Sequence, residues 1–135
     1  MMKYLDANIF IYAALEKEAK GEHARDILTK ILLGESAMTS SLSVDELVWS
    51  IWKNTRDRDE AIKHGLMLFE MASLRISPVT RDDAYRSLSL MKKHPHLKPR
   101  DAIHLSVALR LGADCIVSDD KDFDGIMGLK REGLD

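Results

Sequence analysis

Apolar residues in this chain fall into short dense runs divided by longer stretches where they recur every third or fourth position, which predicts strands separated by helices. Lys3 to Leu5 reads as a first strand and Asn8 to Glu16 as the helix after it. A helix over Gly21 to Leu33 gathers Ala24, Ile27, Leu28, Ile31 and Leu32 on one face, and Gly34 ends it. Ala37 to Ser40 is a second strand. Ser41 or Ser43 is placed to cap the following helix, which carries Val44, Leu47, Val48, Ile51 and Trp52. Asp57 to Ser73 predicts another helix, with Ile62, Leu66, Phe69 and Ala72 on one side. A third strand over Leu74 to Val79 leads into a helix over Arg81 to Lys93 that Pro95 stops. Pro99 suits the first turn of a helix running to Leu111, closed by Gly112. Asp114 to Ser118 is the fourth strand and Gly128 to Glu132 the fifth.

Strands joined through helical segments pair in parallel by crossovers, so the expected fold class is α/β: a three-layer α/β/α sandwich around a small parallel sheet of four to five strands. At 135 residues the chain suits a single domain over 1–135, with no repeat, low-complexity tract or linker to divide it. An apolar fraction of 45% against 31% charged residues excludes a disordered chain. The net charge of −2 argues against a protein that coats nucleic acid through a basic surface. It leaves open an enzyme in which bound metal ions supply positive charge locally.

Cys115 is the only cysteine, so no internal disulfide forms, and its place in Cys115-Ile116-Val117 predicts a buried strand thiol rather than a reactive one. The first apolar stretch is broken by Asp6 and followed by Glu16, Lys17 and Glu18, which fits neither a secretory leader nor a membrane span. The expectation is a cytoplasmic protein.

The chemistry lies in the acids at element boundaries. Asp6 ends the first strand, where open α/β sheets place their ligand crevice. Its plain alternative is a helix N-cap, a duty Asn8 is also placed to take. Glu46 lies across its helix from Val44 and Val48, yet Leu42 and Trp49 flank it on its own side, so it is expected on a covered face and in need of a partner. Asp101 opens a helix that is apolar nearly all round; a carboxylate complementing the helix dipole is the ordinary reading there. His104, one turn on, reads better as a hydrogen-bonded structural histidine than as a metal ligand. Asp119, Asp120, Asp122 and Asp124 form an acidic turn, most of it expected to be solvated. A parallel sheet would bring one acid from each group to a single edge, making a site for a hard cation.

These residues together resemble the PIN-domain nucleases, and within them the VapC-type toxin ribonucleases of prokaryotic toxin–antitoxin pairs. The match runs through Tyr4-Leu-Asp6-Ala-Asn8-Ile, Ser41-Leu-Ser-Val-Asp-Glu46-Leu, Arg100-Asp101-Ala-Ile-His-Leu and Ile116-Val-Ser118-Asp-Asp120-Lys-Asp122-Phe123. The resemblance implies a PIN-like parallel sheet flanked by helices. It implies Asp6, Glu46, Asp101 and Asp120 as a catalytic acidic quartet, with Asp122 as a candidate fifth acid. Asn8 and Ser118 match positions that relatives use to orient acids or water. Asp119 departs from the pattern, since many relatives carry a neutral residue there. Ribonuclease rather than deoxyribonuclease activity, an antitoxin protein as partner and a homodimer are expectations from the same source.

Phosphodiester hydrolysis at neutral pH needs a nucleophilic hydroxide and shielding of charge on the phosphoryl oxygens, which one or two Mg²⁺ or Mn²⁺ ions supply. Asp6 and Asp101 are the expected direct metal ligands, with Glu46 and Asp120 holding waters or a second ion. With no His or Ser nucleophile arrangement, attack by metal-activated water is the economical mechanism, leaving a 5′-phosphate and a 3′-hydroxyl. The basic run Lys92-Lys93-His-Pro-His-Leu-Lys98-Pro-Arg100 leads into Asp101 and is a candidate phosphate-holding segment for RNA. Trp49 and Trp52 are expected in core or dimer packing. Three other classes bear on the same residues. A receiver domain needs an Asp at the exit of the third strand, where Pro78 and Val79 stand. An RNA-processing nuclease without a toxin role, and a non-catalytic binding module that kept its acids, both fit.

Overall fold

In the computed structural model, which describes residues 1–126 and 128–135, three to four residues make each strand: β1 Lys3–Leu5, β2 Ala37–Ser40, β3 Leu74–Ser77, β4 Cys115–Val117 and β5 Lys130–Glu132. Six helices connect them: α1 Ala7–Leu15, α2 Ala19–Leu32, α3 Ser41–Thr55, α4 Arg58–Phe69, α5 Arg81–Lys93 and α6 Pro99–Arg110. A 3₁₀ turn, Lys121–Phe123, lies between β4 and β5. The sheet is wholly parallel in the order β3-β2-β1-β4-β5, so the α/β expectation holds. In this order the chain leaves β1 first to one side and later to the other, and the crevice at such a switch point opens beyond the carboxyl ends of β1 and β4. A receiver domain has its strands in a different order, with β1 next to β3, and is excluded by topology.

Alternation along the strands divides the core in two. Leu5, Ala37, Cys115 and Val117 face α1 to α4, whereas Tyr4, Met38 and Ile116 face α5 and α6. Both faces are covered, and the inner strands β2 and β4 are buried along their whole length, whereas the edge strands β3 and β5 carry charged residues. Cys115 is buried as expected, and burial lifts its thiol to about 11, which keeps it protonated and inert. No helix among the described residues is long and apolar enough to cross a membrane.

One sequence expectation fails here for packing reasons, and of the core-or-dimer expectation for the two tryptophans the core half fails. The α4 face expected to be buried is turned outward: Ile62, Leu66 and Phe69 are 38%, 58% and 63% exposed, and Ala61, Gly65 and Leu68 pack inward instead. Gly65 decides this, because a Cβ there would stand 2.7 Å from Val48 Cγ2, so α4 lies on α3 through its smallest residue. Periodicity weighs hydrophobicity and misses this use of a glycine. Trp49 and Trp52 are not core residues either. They stack edge to face at 6.0 Å on the outer side of α3, about half exposed, with Arg58 over Trp52.

The opposite layer is clamped by a charge. Asp83, fully buried, closes a capping box with Thr80 and accepts two hydrogen bonds from Arg110 and one from Arg86. Burial works to raise its pKa, but the Arg110 and Thr80 hydrogen bonds more than offset it and hold the carboxyl well below the usual range. Arg110 also donates to the Pro78 carbonyl, fastening the C-terminal end of α6 to the exit of β3. Gly112, at φ 70, then turns the chain toward β4 in a backbone region that favours glycine.

Candidate active site

The carboxyl ends of β1, β2 and β4 and the start of α6 build one crevice. Asp6 follows β1 and is 6% exposed. It stands at the N-cap position of α1, but its side chain makes no capping bond; Asn8 lies inside the helix and does not cap it either. Ser118, just past β4, takes Asp6 Oδ2 instead, donating at 2.7 Å. The same hydroxyl accepts from Asn8 Nδ2 at 3.1 Å and from the Asp120 amide at 3.0 Å, so its one proton and two lone pairs are all used. Ser118 thereby locks Asp6, Asn8 and the acidic turn to one another. Asn8 Oδ1 is buried and has no hydrogen-bond partner among the described residues.

The acidic turn sorts its members. Asp119 faces away, accepting from Tyr12 at 3.3 Å and Lys20 at 3.0 Å, and Asp124 pairs with Arg131. Asp120 points inward and caps the 3₁₀ turn by accepting from the Asp122 amide. Asp101, in the first turn of α6, meets Asp120 and Asp122, with one carboxylate oxygen of each within 4.8 Å of the others. Among the described residues none of these three forms an ion pair. Burial, with the charges of Asp120 and Asp6, pushes Asp101 up to about 6. An all-oxygen set of carboxylates left without a protein cation fits a hard divalent ion such as Mg²⁺ or Mn²⁺.

Glu46 reaches the crevice from the second turn of α3, and the partner it needs is His104. The imidazole Nε2 lies 2.5 Å from Glu46 Oε1 and 3.6 Å from Asp6 Oδ1, while Nδ1 lies 2.7 Å from the Tyr4 hydroxyl. Tyr4 is in turn 2.9 Å from Ser40 Oγ. Burial alone would depress the imidazole, yet the Glu46 hydrogen bond and the Asp6 charge hold it above its ordinary value. Burial likewise lifts Asp6 above the usual carboxylate range, against the opposing pull of His104 and Ser118. His104 is thus the hydrogen-bonded residue its sequence position suggests, but it stands in the site. Tyr4 and Ser40 are site residues that sequence reasoning misses altogether, since nothing in a β1 tyrosine or a β2 serine signals a partner far along the chain.

A groove of about 420 Å³ runs past this cluster, lined by Glu46, Lys98, Pro99, Arg100, Asp101 and Asp120. Lys98 and Arg100 therefore adjoin the acids. Lys93 opens instead onto a separate cleft with Arg86, Ser89 and Leu109, and Lys92 is exposed on the last turn of α5. His96 ties the basic loop to the acidic turn, its Nε2 at 2.9 Å from the Asp122 carbonyl.

A parallel sheet with carboxylates converging beyond its switch point defines an α/β fold with a hard-cation crevice. The family model for the PIN domain matches residues 3–128, and the chain belongs to that family. Solved structures share its fold at low identity. VapBC2 from Rickettsia felis, bound to a DNA fragment from its promoter, aligns at TM-score 0.75 and 19% identity over all of both chains. DNA-bound VapBC from Salmonella typhimurium gives 0.73 and 18% over 100% of this chain and 99% of that one. Mycobacterium tuberculosis VapC20, described as a Sarcin-Ricin loop cleaving toxin, gives 0.71 and 16% over 91% and 90%. The chain has no match among curated protein sequences.

Proposed function

We propose that this chain is a divalent-metal-dependent endoribonuclease that hydrolyses RNA phosphodiesters and acts as the toxin of a toxin–antitoxin pair. The observation that carries the reading is the meeting of Asp101, Asp120 and Asp122 with Asp6 and Glu46 beside them, at the sheet edge where the fold places ligands. Asp6 and Asp101 would hold Mg²⁺ or Mn²⁺ directly, and Glu46, Asp120 and Asp122 would complete the acidic wall. Bound there, the ion supplies Lewis acidity toward water and shields charge on the phosphoryl oxygens. The protein's own part is positioning. Ser118 and Asn8 fix Asp6 and the acidic turn, and Glu46, with Oε1 committed to His104, keeps Oε2 to orient a water. Lys98 and Arg100 draw the RNA backbone along the groove, with Lys92 and Lys93 extending the basic path beyond it.

The partners follow from the neighbours of like fold, several of which are toxin–antitoxin complexes. An antitoxin would cover this chain, and the exposed Trp49, Trp52, Ile62, Leu66 and Phe69 support a homodimer through α3 and α4. A cytoplasmic setting suits an RNA substrate. Incubation of single-stranded RNA with the protein in Mg²⁺ or Mn²⁺ tests the activity: fragments bearing 5′-phosphates are expected with metal and none in chelator. RNA left intact under both conditions would leave a binding module.

A further inference from the structure

His104 joins Glu46, Asp6 and Tyr4, from α3, the β1 exit and β1, through a single buried ring. With Glu46 Oε1 as the acceptor, the 2.5 Å contact places a proton on Nε2. That holds in either charge state of the ring. If Ser40 donates to Tyr4, the phenol donates to Nδ1; if Tyr4 donates to Ser40, Nδ1–H donates to the phenol. Both arrangements leave Nε2–H aimed at Glu46, with Asp6 Oδ1 next nearest at 3.6 Å. A buried donor in this place competes with a cation for carboxylate lone pairs. It takes Glu46 Oε1 out of the pool of metal-facing oxygens and leaves Asp101, Asp120 and Asp122, with Asp6 beside them, to face the cation.

We propose that His104 is a positioning residue that holds Glu46 against Asp6 through Nε2–H, and that the Tyr4 hydroxyl sets the ring for this by holding Nδ1. The proposal rests on the metal-dependent reading of the site, and it divides the five acids into two functional groups. Asp6, Asp101, Asp120 and Asp122 face the ion, while Glu46 is kept at a fixed spacing from Asp6 by a protein donor. Removing the donor frees Glu46 Oε1 for the ion, so metal binding strengthens while the geometry loosens. A residue needed only for folding would give the opposite result, since disorder scatters the ligands.

Calorimetric titration with Mn²⁺ alone, on the parent and on folded His104→Leu, His104→Gln and Tyr4→Phe, reads this directly. His104→Leu is expected to bind Mn²⁺ several-fold more tightly than the parent and to cleave RNA at least ten-fold more slowly. His104→Gln, whose amide restores a donor near the Nε2 position, should return toward the parent in both, and Tyr4→Phe should shift both in the direction of His104→Leu but less. Unchanged or weaker Mn²⁺ binding by a folded His104→Leu overturns the proposal. A second measurement needs neither metal nor substrate and decides the matter if the parent binds no Mn²⁺, which would overturn the metal reading by itself. In chelator, nitrogen NMR of the parent should show Nε2 of His104 carrying a proton at pH 7.5. A neutral ring protonated on Nδ1 alone would overturn the assignment of the donor.

Discussion

Asp101 shows most plainly how the site works against the fold. Burial and two neighbouring acids raise its pKa to about 6 from an ordinary 3.8, so the folded protein binds its proton more tightly than the unfolded chain does. Its contribution to stability is therefore fully present below pH 4 and is lost as the pH rises through about 6. With partial exposure discounted, the penalty is on the order of 1–2 kcal/mol. In chelator, Asp101→Asn should melt several degrees above the parent at pH 7.5 and level with it at pH 4. An Asn variant that melts lower at pH 7.5 would return Asp101 to the service of the helix dipole. Asp6, Asp101 and Asp120 stand out in the sequence because each lies at or near an element boundary, a local property, whereas Glu46 lies a turn inside α3 and enters the expected quartet through the family resemblance. Their wiring is not legible there. The contacts Tyr4–His104, Asp6–Ser118 and His104–Glu46 span 100, 112 and 58 positions, and no local pattern encodes a pair so separated.

Among the elements, α5 spans Arg81–Lys93 as expected, with Pro95 just beyond its end; the Thr80–Asp83 capping box that starts it is seen only in the structure. Ser40 rather than Ser41 or Ser43 stands at the N-cap of α3, and its side chain makes no capping bond, being used by Tyr4. Ser41 instead receives the Val79 amide and Ser43 bonds Thr39. α4 closes at Phe69 rather than Ser73, and β3, β4 and β5 are shorter than their expected spans, since ladder pairing stops at Ser77, Val117 and Glu132 and starts only at Cys115 and Lys130 in the last two. The loop from α5 to α6 carries its own test. Lys98 and Arg100 border the groove, so replacing both by Gln should weaken RNA binding across sequences alike and flatten its salt dependence by up to about one unit of slope for each phosphate no longer held. Mn²⁺ affinity should hardly change. An unaltered slope would move the RNA path toward Lys53, Arg56 and Arg58.

For the whole molecule, the sheet order has one consequence and the outward α4 face another. The order sets the crevice between β1 and β4, so acids distant in sequence share one edge. The exposed apolar face of α3 and α4 leaves large side chains in water that the monomer does not use. Leu66→Asp together with Phe69→Asp should convert a dimer to a monomer in sedimentation, with the melting temperature of the protomer little changed. A parent that sediments as a monomer at micromolar concentration would rule out the homodimer.

In the proposed function, Asp6 and Asp101 would hold a divalent ion. Calorimetric titration of Mn²⁺ into the parent, Asp6→Asn and Asp101→Asn tests this most directly, with circular dichroism confirming that each variant is folded. The parent should bind, both variants should lose most of the binding heat, and Mn²⁺ should raise the melting temperature of the parent alone by mass-action linkage. Folded variants that bind Mn²⁺ as the parent does would contradict it.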